Sequence, residues 1–299
     1  MVFHYQAGVL PMNGLKPHFL GTEPKMRSGT WWRLLLMMIM LYFTGIIVLY
    51  LTRNPLLFPT VVMLGNFMIP VAYVAFFYER QGLISHLKMP TMAGSFFYGG
   101  ILGVLASAIL EPFLIHALTF YNAFLVGLIE EFAKILGVLF IARHRKHTSE
   151  LYGLVLGAAA GMGFAALESM GYAFAAFLRS GGFLSATVSI TLLRGLITPI
   201  GHGAWTAILG SMLYRESRTG HFKLTLNLFL SYFGVVILHG LWDGVPLILQ
   251  RLWIPDMAIL ISELFVGGIG LFILWRRWVA AKSIQIAKFI TNGDVALEE

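Results

Sequence analysis

Cysteine is absent from this chain of 299 residues. That excludes disulfides, thiolate metal ligands and a cysteine nucleophile. Charge is scarce as well. Asp, Glu, Lys and Arg make up 12% of the residues, where a soluble domain carries about 25%. No early apolar core follows the first residues, so no cleavable signal peptide is expected. Residues 1–31 are polar and broken by Gly14, Pro17, Gly21 and Pro24, and they read as a short cytoplasmic tail. No internal repeat is visible, and the loops are too short for a soluble domain. The HExxH zinc motif is missing too, so a metal site would have to be assembled across several helices.

What is present is apolar sequence, at 58% of the chain. A helix needs about 20 mainly apolar residues to cross a bilayer core. Eight stretches qualify, at roughly 32–52, 58–78, 93–114, 118–142, 151–178, 184–214, 223–250 and 256–276. The expected fold class is therefore all-α, a polytopic membrane protein of about eight transmembrane helices. Residues 32–278 should form one helical domain, with its core near 118–250, and 279–299 a cytoplasmic tail. The sixth stretch is long and contains Pro199, which removes a helical hydrogen bond and should kink it.

The formal net charge of +7 reports topology more than a nucleic-acid partner. Of the 21 Lys and Arg residues, 16 fall in one alternating set of loops and tails and three (Arg53, Arg179, Arg251) in the other. Basic loops stay in the cytoplasm, so both termini are expected there. Trp31, Trp32, Trp275 and Trp278 mark the same interface. The basic loop around His144 and His147 suits contact with lipid headgroups.

Glu130, Glu131, Lys134, Glu168 and Asp243 are charged residues well inside the apolar stretches. Each costs roughly 2.5–3.5 kcal/mol near a bilayer centre, so each asks for a use. In GLIEEFAKILG, Glu130 and Lys134 are four apart and share a helix face, while Glu131 points about 100° away. That spacing neutralises Lys134 and leaves Glu131 without a partner. In GAAAGMGFAALESMGYAF, small residues (Gly157, Ala158, Gly161, Ala165) permit close helix approach. Glu168 follows Phe164 by one turn, and core packing explains Phe164. In LLRGLITPIGHGAWTAILG, Arg194, Thr198, His202 and Thr206 make one polar stripe, with glycines clearing space around His202. In VVILHGLWDGVP, His239 and Asp243 share a face, as suits a carboxylate orienting an imidazole or two ligands of one metal. The depths of these residues agree, so four helices are expected to converge on one cavity open toward the outer leaflet. Glu263, about two turns into the last stretch, could line a cavity or face a partner, and Glu111 and His116 are expected in an outer loop.

Carboxylates and histidines without cysteine suit hydrolysis by activated water. Glu131 or Glu130 could act as general base, with a histidine stabilising or protonating developing charge. Alternatively His202, His239 and Glu168 could hold a divalent metal such as zinc that activates the water. Arg194 suits pairing with a carboxylate, or binding a substrate carbonyl or developing oxyanion, more than acid or base work. The same buried groups would also serve a proton- or ion-coupled transporter, or a non-catalytic membrane binding protein.

EEFAK (Glu130–Lys134), FAALE (Phe164–Glu168), HGAWT (His202–Thr206) and HGLWD (His239–Asp243) stand in order on four successive stretches. Together they resemble the motifs of PrsW-type intramembrane proteases, over about residues 120–250. The family is more distantly similar to the CAAX prenyl endopeptidases. The resemblance implies peptide-bond hydrolysis of a membrane-associated protein, as in site-one cleavage of an anti-sigma factor, in a bacterial or archaeal plasma membrane. It implies catalytic roles for Glu130, Glu131, Glu168, His202, His239 and Asp243, supported by Lys134, Arg194 and Phe164. On cofactors it is divided between a metallopeptidase and a metal-free, glutamate-dependent enzyme.

Overall fold

The structure is a computed structural model that describes residues 29–81, 87–143, 149–217, 222–252 and 255–291. Every regular element among them is helical: α1 (Thr30–Thr52), α2 (Leu57–Gln81), α3 (Met89–Leu114), α4 (Phe120–Ala142), α5 (Glu150–Arg179), α6 (Leu184–Ile197), α7 (His202–Glu216), α8 (Leu226–Leu252) and α9 (Pro255–Thr291). The tail to residue 28, the His144–His147 loop and the last eight residues lie outside the described residues.

Seven spans among the described residues are long and apolar enough to cross a membrane. In these, α6 and α7 count as one span, Leu184–Glu216. The span missing from the seven is α4, whose apolar run is interrupted by Glu130, Glu131 and Lys134. Adding α4 restores the expected eight. The chain is an all-α polytopic membrane protein. Large apolar side chains such as Met40, Ile47, Phe113 and Phe265 face outward, as a lipid-facing surface requires. The last helix runs past its expected end near 276, to Thr291.

The break in the sixth span falls at Pro199. A 3₁₀ turn, Thr198–Ile200, separates α6 from α7, and Gly201 leaves it at φ −96°, ψ −101°. Proline cannot donate the bond that would continue α6. The consequence is that His202 becomes the first residue of a new helix, inside the protein.

Helix α5 is the centre of the bundle. It packs against α2, α3, α4, α6, α7 and α9, and nearly all of it from Glu150 to Ala166 is buried. Its small residues make this possible. A methyl group at Gly157 or Gly161 would strike the backbone carbonyl of Thr206 or His202 on α7. Without a hydrophobic drive between helices in lipid, such close van der Waals packing and buried polar contacts hold the helices together.

The two ends of the described chain share one face. The Glu79 carboxylate at the end of α2 accepts from the backbone N–H of Gly29 at 2.6 Å. Trp278 of α9 packs edge-on against Phe77 of α2. Ser149, before α5, donates to Gln285 of α9 at 2.7 Å, and Arg277 pairs with Glu150 at 3.4 Å. Arg33, Arg80, Lys88, Arg143, Arg276 and Lys282 belong to this face by their place in the helices, so it carries the basic residues that mark a cytoplasmic side.

Candidate active site

The four polar helices meet around the side chain of Lys134. Its ammonium donates to Glu130 Oε2 at 3.0 Å and to Glu131 Oε1 at 2.7 Å. It also lies 2.9 Å from His202 Nδ1 and 3.9 Å from the centre of the Phe164 ring. Lys134 is fully buried. The helical spacing explains the double bond. Glu131 is three residues before Lys134 and Glu130 four, and a long flexible stem can reach both turns. Glu131 is thus not left unpartnered, contrary to the expectation from helix faces alone. It also accepts from Thr206 Oγ1 at 2.9 Å and lies 3.1 Å from His239 Nδ1. Phe164 is core, as expected, and also supplies a cation–π face to Lys134.

These contacts assign the imidazole protons. An ammonium is a donor only, so His202 Nδ1 accepts and its Nε2 carries the proton, donating to Glu168 Oε2 at 3.1 Å. A carboxylate held by an ammonium is an acceptor, so His239 donates through Nδ1 to Glu131. Its other nitrogen, Nε2, then points at Glu130 Oε2 and Asp243 Oδ2, 3.5 Å from each. Glu168 is shared. Arg194 pairs with it at 2.5 Å and donates through Nε to Ser169 Oγ at 2.9 Å. The Arg194 guanidinium also stacks 4.1 Å from the centre of the Tyr172 ring.

A cavity of about 670 Å³ opens beside this network. Glu130, Glu168, His202, His239, Asp243 and Arg194 line it, whereas Glu131 and Lys134 stand behind its wall. It extends past Ile115–Leu118 and Arg179, at the ends of α3 and α5 away from the basic face. All nine residues singled out from the sequence therefore belong to one connected site. Three placements differ from expectation or add to it. Glu111 lies in the last turn of α3, not in an outer loop, and lines the cavity together with the loop residue His116. Glu263 on α9 lines it as well. Ser169, Tyr172 and Trp205 were not foreseen. Trp205 packs on His239 with ring centres 4.8 Å apart and meets Trp242 edge-on at 5.3 Å. The sequence held a signal for this: HGAW and HGLW both place a tryptophan one turn after a histidine.

Comparison with known proteins gives the family. The sequence model described as "PrsW family intramembrane metalloprotease" matches residues 88–274. The chain belongs to the PrsW family. Two curated relatives are each named Protease PrsW. One, from Halalkalibacterium halodurans, is 28% identical over 189 residues, covering 62% of this chain and 71% of the relative. The other, from Geobacillus kaustophilus, is 27% identical over 187 residues, covering 62% of this chain and 68% of the relative. No solved structure matches the chain. The protein is thus an integral membrane peptidase of the PrsW family, in a bacterial membrane.

The family description names a metal, and the donors can be tested for it. Glu130, Glu131, His202 and His239 each offer an atom within 4.8 Å of the others. Two carboxylates and two imidazoles suit zinc in type. In this arrangement the set does not fit one, because the Lys134 ammonium already bonds three of the four residues. A divalent ion at their centre would have to displace it. Glu168 lies outside the set, held by His202 and Arg194.

Proposed function

We propose that this PrsW-family peptidase hydrolyses a peptide bond of a membrane-associated protein in the cavity, with Glu130 as general base. One observation carries the reading. Of the two adjacent glutamates, Glu130 faces the cavity and stands 3.5 Å from His239 Nε2, while Glu131 is turned inward and fully paired. A general base must reach the proton it takes.

Glu130 takes one proton from a cavity water as the water oxygen bonds the scissile carbonyl carbon. The carbonyl oxygen gains the negative charge, and Arg194, which lines the cavity, is the group placed to stabilise it. Collapse of the intermediate breaks the C–N bond, and Glu130 returns the proton to the leaving amine. His239 Nε2 sits between Glu130 and Asp243 and accepts protons from either. Its other nitrogen is fixed by Glu131, the arrangement by which a carboxylate holds an imidazole in one tautomer. Lys134 and Thr206 keep Glu131 in place. His202 is locked between Lys134 and Glu168, which suits a positioning role. The new acid gives up its proton through the open cavity.

The substrate is a membrane protein that can enter the cavity from its outer side. An anti-sigma factor is the kind of substrate that the PrsW motifs imply. The test uses the full chain in proteoliposomes with quenched-fluorescent transmembrane peptides. Wild type should release fragments, and Glu130→Gln should lose roughly 10²–10⁴-fold in rate, the span expected for a general base. Equal cleavage by both would sink the reading.

A further inference from the structure

The cavity holds more acid than this reaction uses. Glu130 and Glu131 share one cation, Lys134, and Glu168 pairs with Arg194. Two further carboxylates line the wall from helices outside the four-motif core, Glu111 on α3 and Glu263 on α9. Glu263 is only 8% exposed, and its Oε2 has no hydrogen-bond partner. Glu111 Oε1 is likewise buried and has no ion-pair partner, with only the Ser107 hydroxyl beside it. Asp243 lies within electrostatic range of both. No cation forms an ion pair with Glu111 or Glu263 among the described residues, although Arg194 lies within electrostatic range of Glu263. Arg194 is held by Glu168 and Ser169. Arg179 lines the mouth but forms no ion pair with either carboxylate among the described residues.

We infer that Glu111 and Glu263 form a cation-accepting subsite for a lysine or arginine side chain of the substrate, beside the scissile bond. The inference rests on the proposed protease reading and adds a substrate preference to it. A buried carboxylate without a partner is costly inside a membrane. A guanidinium or ammonium entering with the peptide would bring a positive charge and N–H donors to this acidic wall, and charge-assisted bonds to the free carboxylate oxygens would offset the cost of burying them. The cavity is within the size range of ligand pockets. Glu130, Glu111 and Glu263 all line it, so one bound segment can present a peptide bond and a side chain to the same cavity.

The experiment measures binding and cleavage separately. Full-length protein in lipid nanodiscs carries Glu130→Gln to stop turnover. It is titrated with labelled transmembrane peptides that hold one Lys, Arg, Glu or norleucine at successive positions. At one position Lys and Arg should bind about tenfold tighter than norleucine, a difference that a buried charge pair readily supplies. Adding Glu263→Gln or Glu111→Gln should bring that ratio close to one, and Glu263→Lys should shift the preference toward the Glu peptide. Equal binding of Lys and norleucine peptides at every position, including no binding, overturns the inference. So does a preference that survives both glutamine substitutions. Should one variant fail to elute as folded protein, the other, on a separate helix, decides. The same peptides are given to the active protein and analysed by mass spectrometry. Charge-selective binding without cleavage would refute the protease reading and leave the subsite standing.

Discussion

Removing the Lys134 ammonium would leave Glu130 and Glu131 adjacent, buried and uncompensated. Breaking one partner of a buried ion pair costs about 3–5 kcal/mol, so Lys134→Met should lower the thermal midpoint in detergent clearly. Adding Glu131→Gln should recover part of the loss, since it removes the orphaned charge. An unchanged midpoint in Lys134→Met would show that the glutamates do not depend on it. Two adjacent glutamates thus differ in kind. Glu130→Gln should abolish cleavage and keep the fold, whereas Glu131→Ala should cost both, because Glu131 holds Lys134, Thr206 and His239. The ammonium at the centre of the donor set also bears on metal dependence. Cleavage should survive exhaustive chelation. Protein that retains one zinc per chain by elemental analysis, with loss of cleavage on its removal, would overturn this.

Helix packing decides whether those residues meet. Gly161 on α5 lies directly against the His202 carbonyl at the start of α7, so this one glycine sets the distance from the Glu168 helix to the imidazole. Gly161→Val should push the helices apart and cost about 1–3 kcal/mol or more, the usual penalty for overpacking. Cleavage should fall further than the midpoint suggests, because the His202–Glu168 bond depends on that approach. Activity and midpoint both equal to wild type would contradict it. The 3₁₀ turn at Pro199 matters in the same way. Proline and small residues in the sequence announced a kink and close packing. Which glycine met which carbonyl was not legible, because a helix face becomes a contact only when its neighbour's rotation is known.

Over the whole molecule, the absence of cysteine makes the topology directly testable. A single introduced thiol is the only one present. His116→Cys, at the cavity end, should react with a membrane-impermeant maleimide from outside intact cells. Gln285→Cys, on the basic face, should react only after the membrane is opened. The reverse pattern would invert the orientation. The charge alternation already marked the sides, since basic residues concentrate where translocation does not carry them.

Composition and periodicity alone determined that the chain is a helical membrane protein, about how many spans it has, and which charged and imidazole residues in four motifs lie within those spans. These are local properties: apolar length, spacing along a helix, and the cost of charge in lipid. Only the tertiary structure decided how they are placed relative to one another. It turned Glu130 toward the cavity and Glu131 away, placed Lys134 among Glu130, Glu131 and His202, and brought Glu111 and Glu263 from outlying helices to the same wall. The physical reason is that burial and pairing belong to contacts between helices, and a helix's own sequence does not contain the rotation and depth of its neighbours.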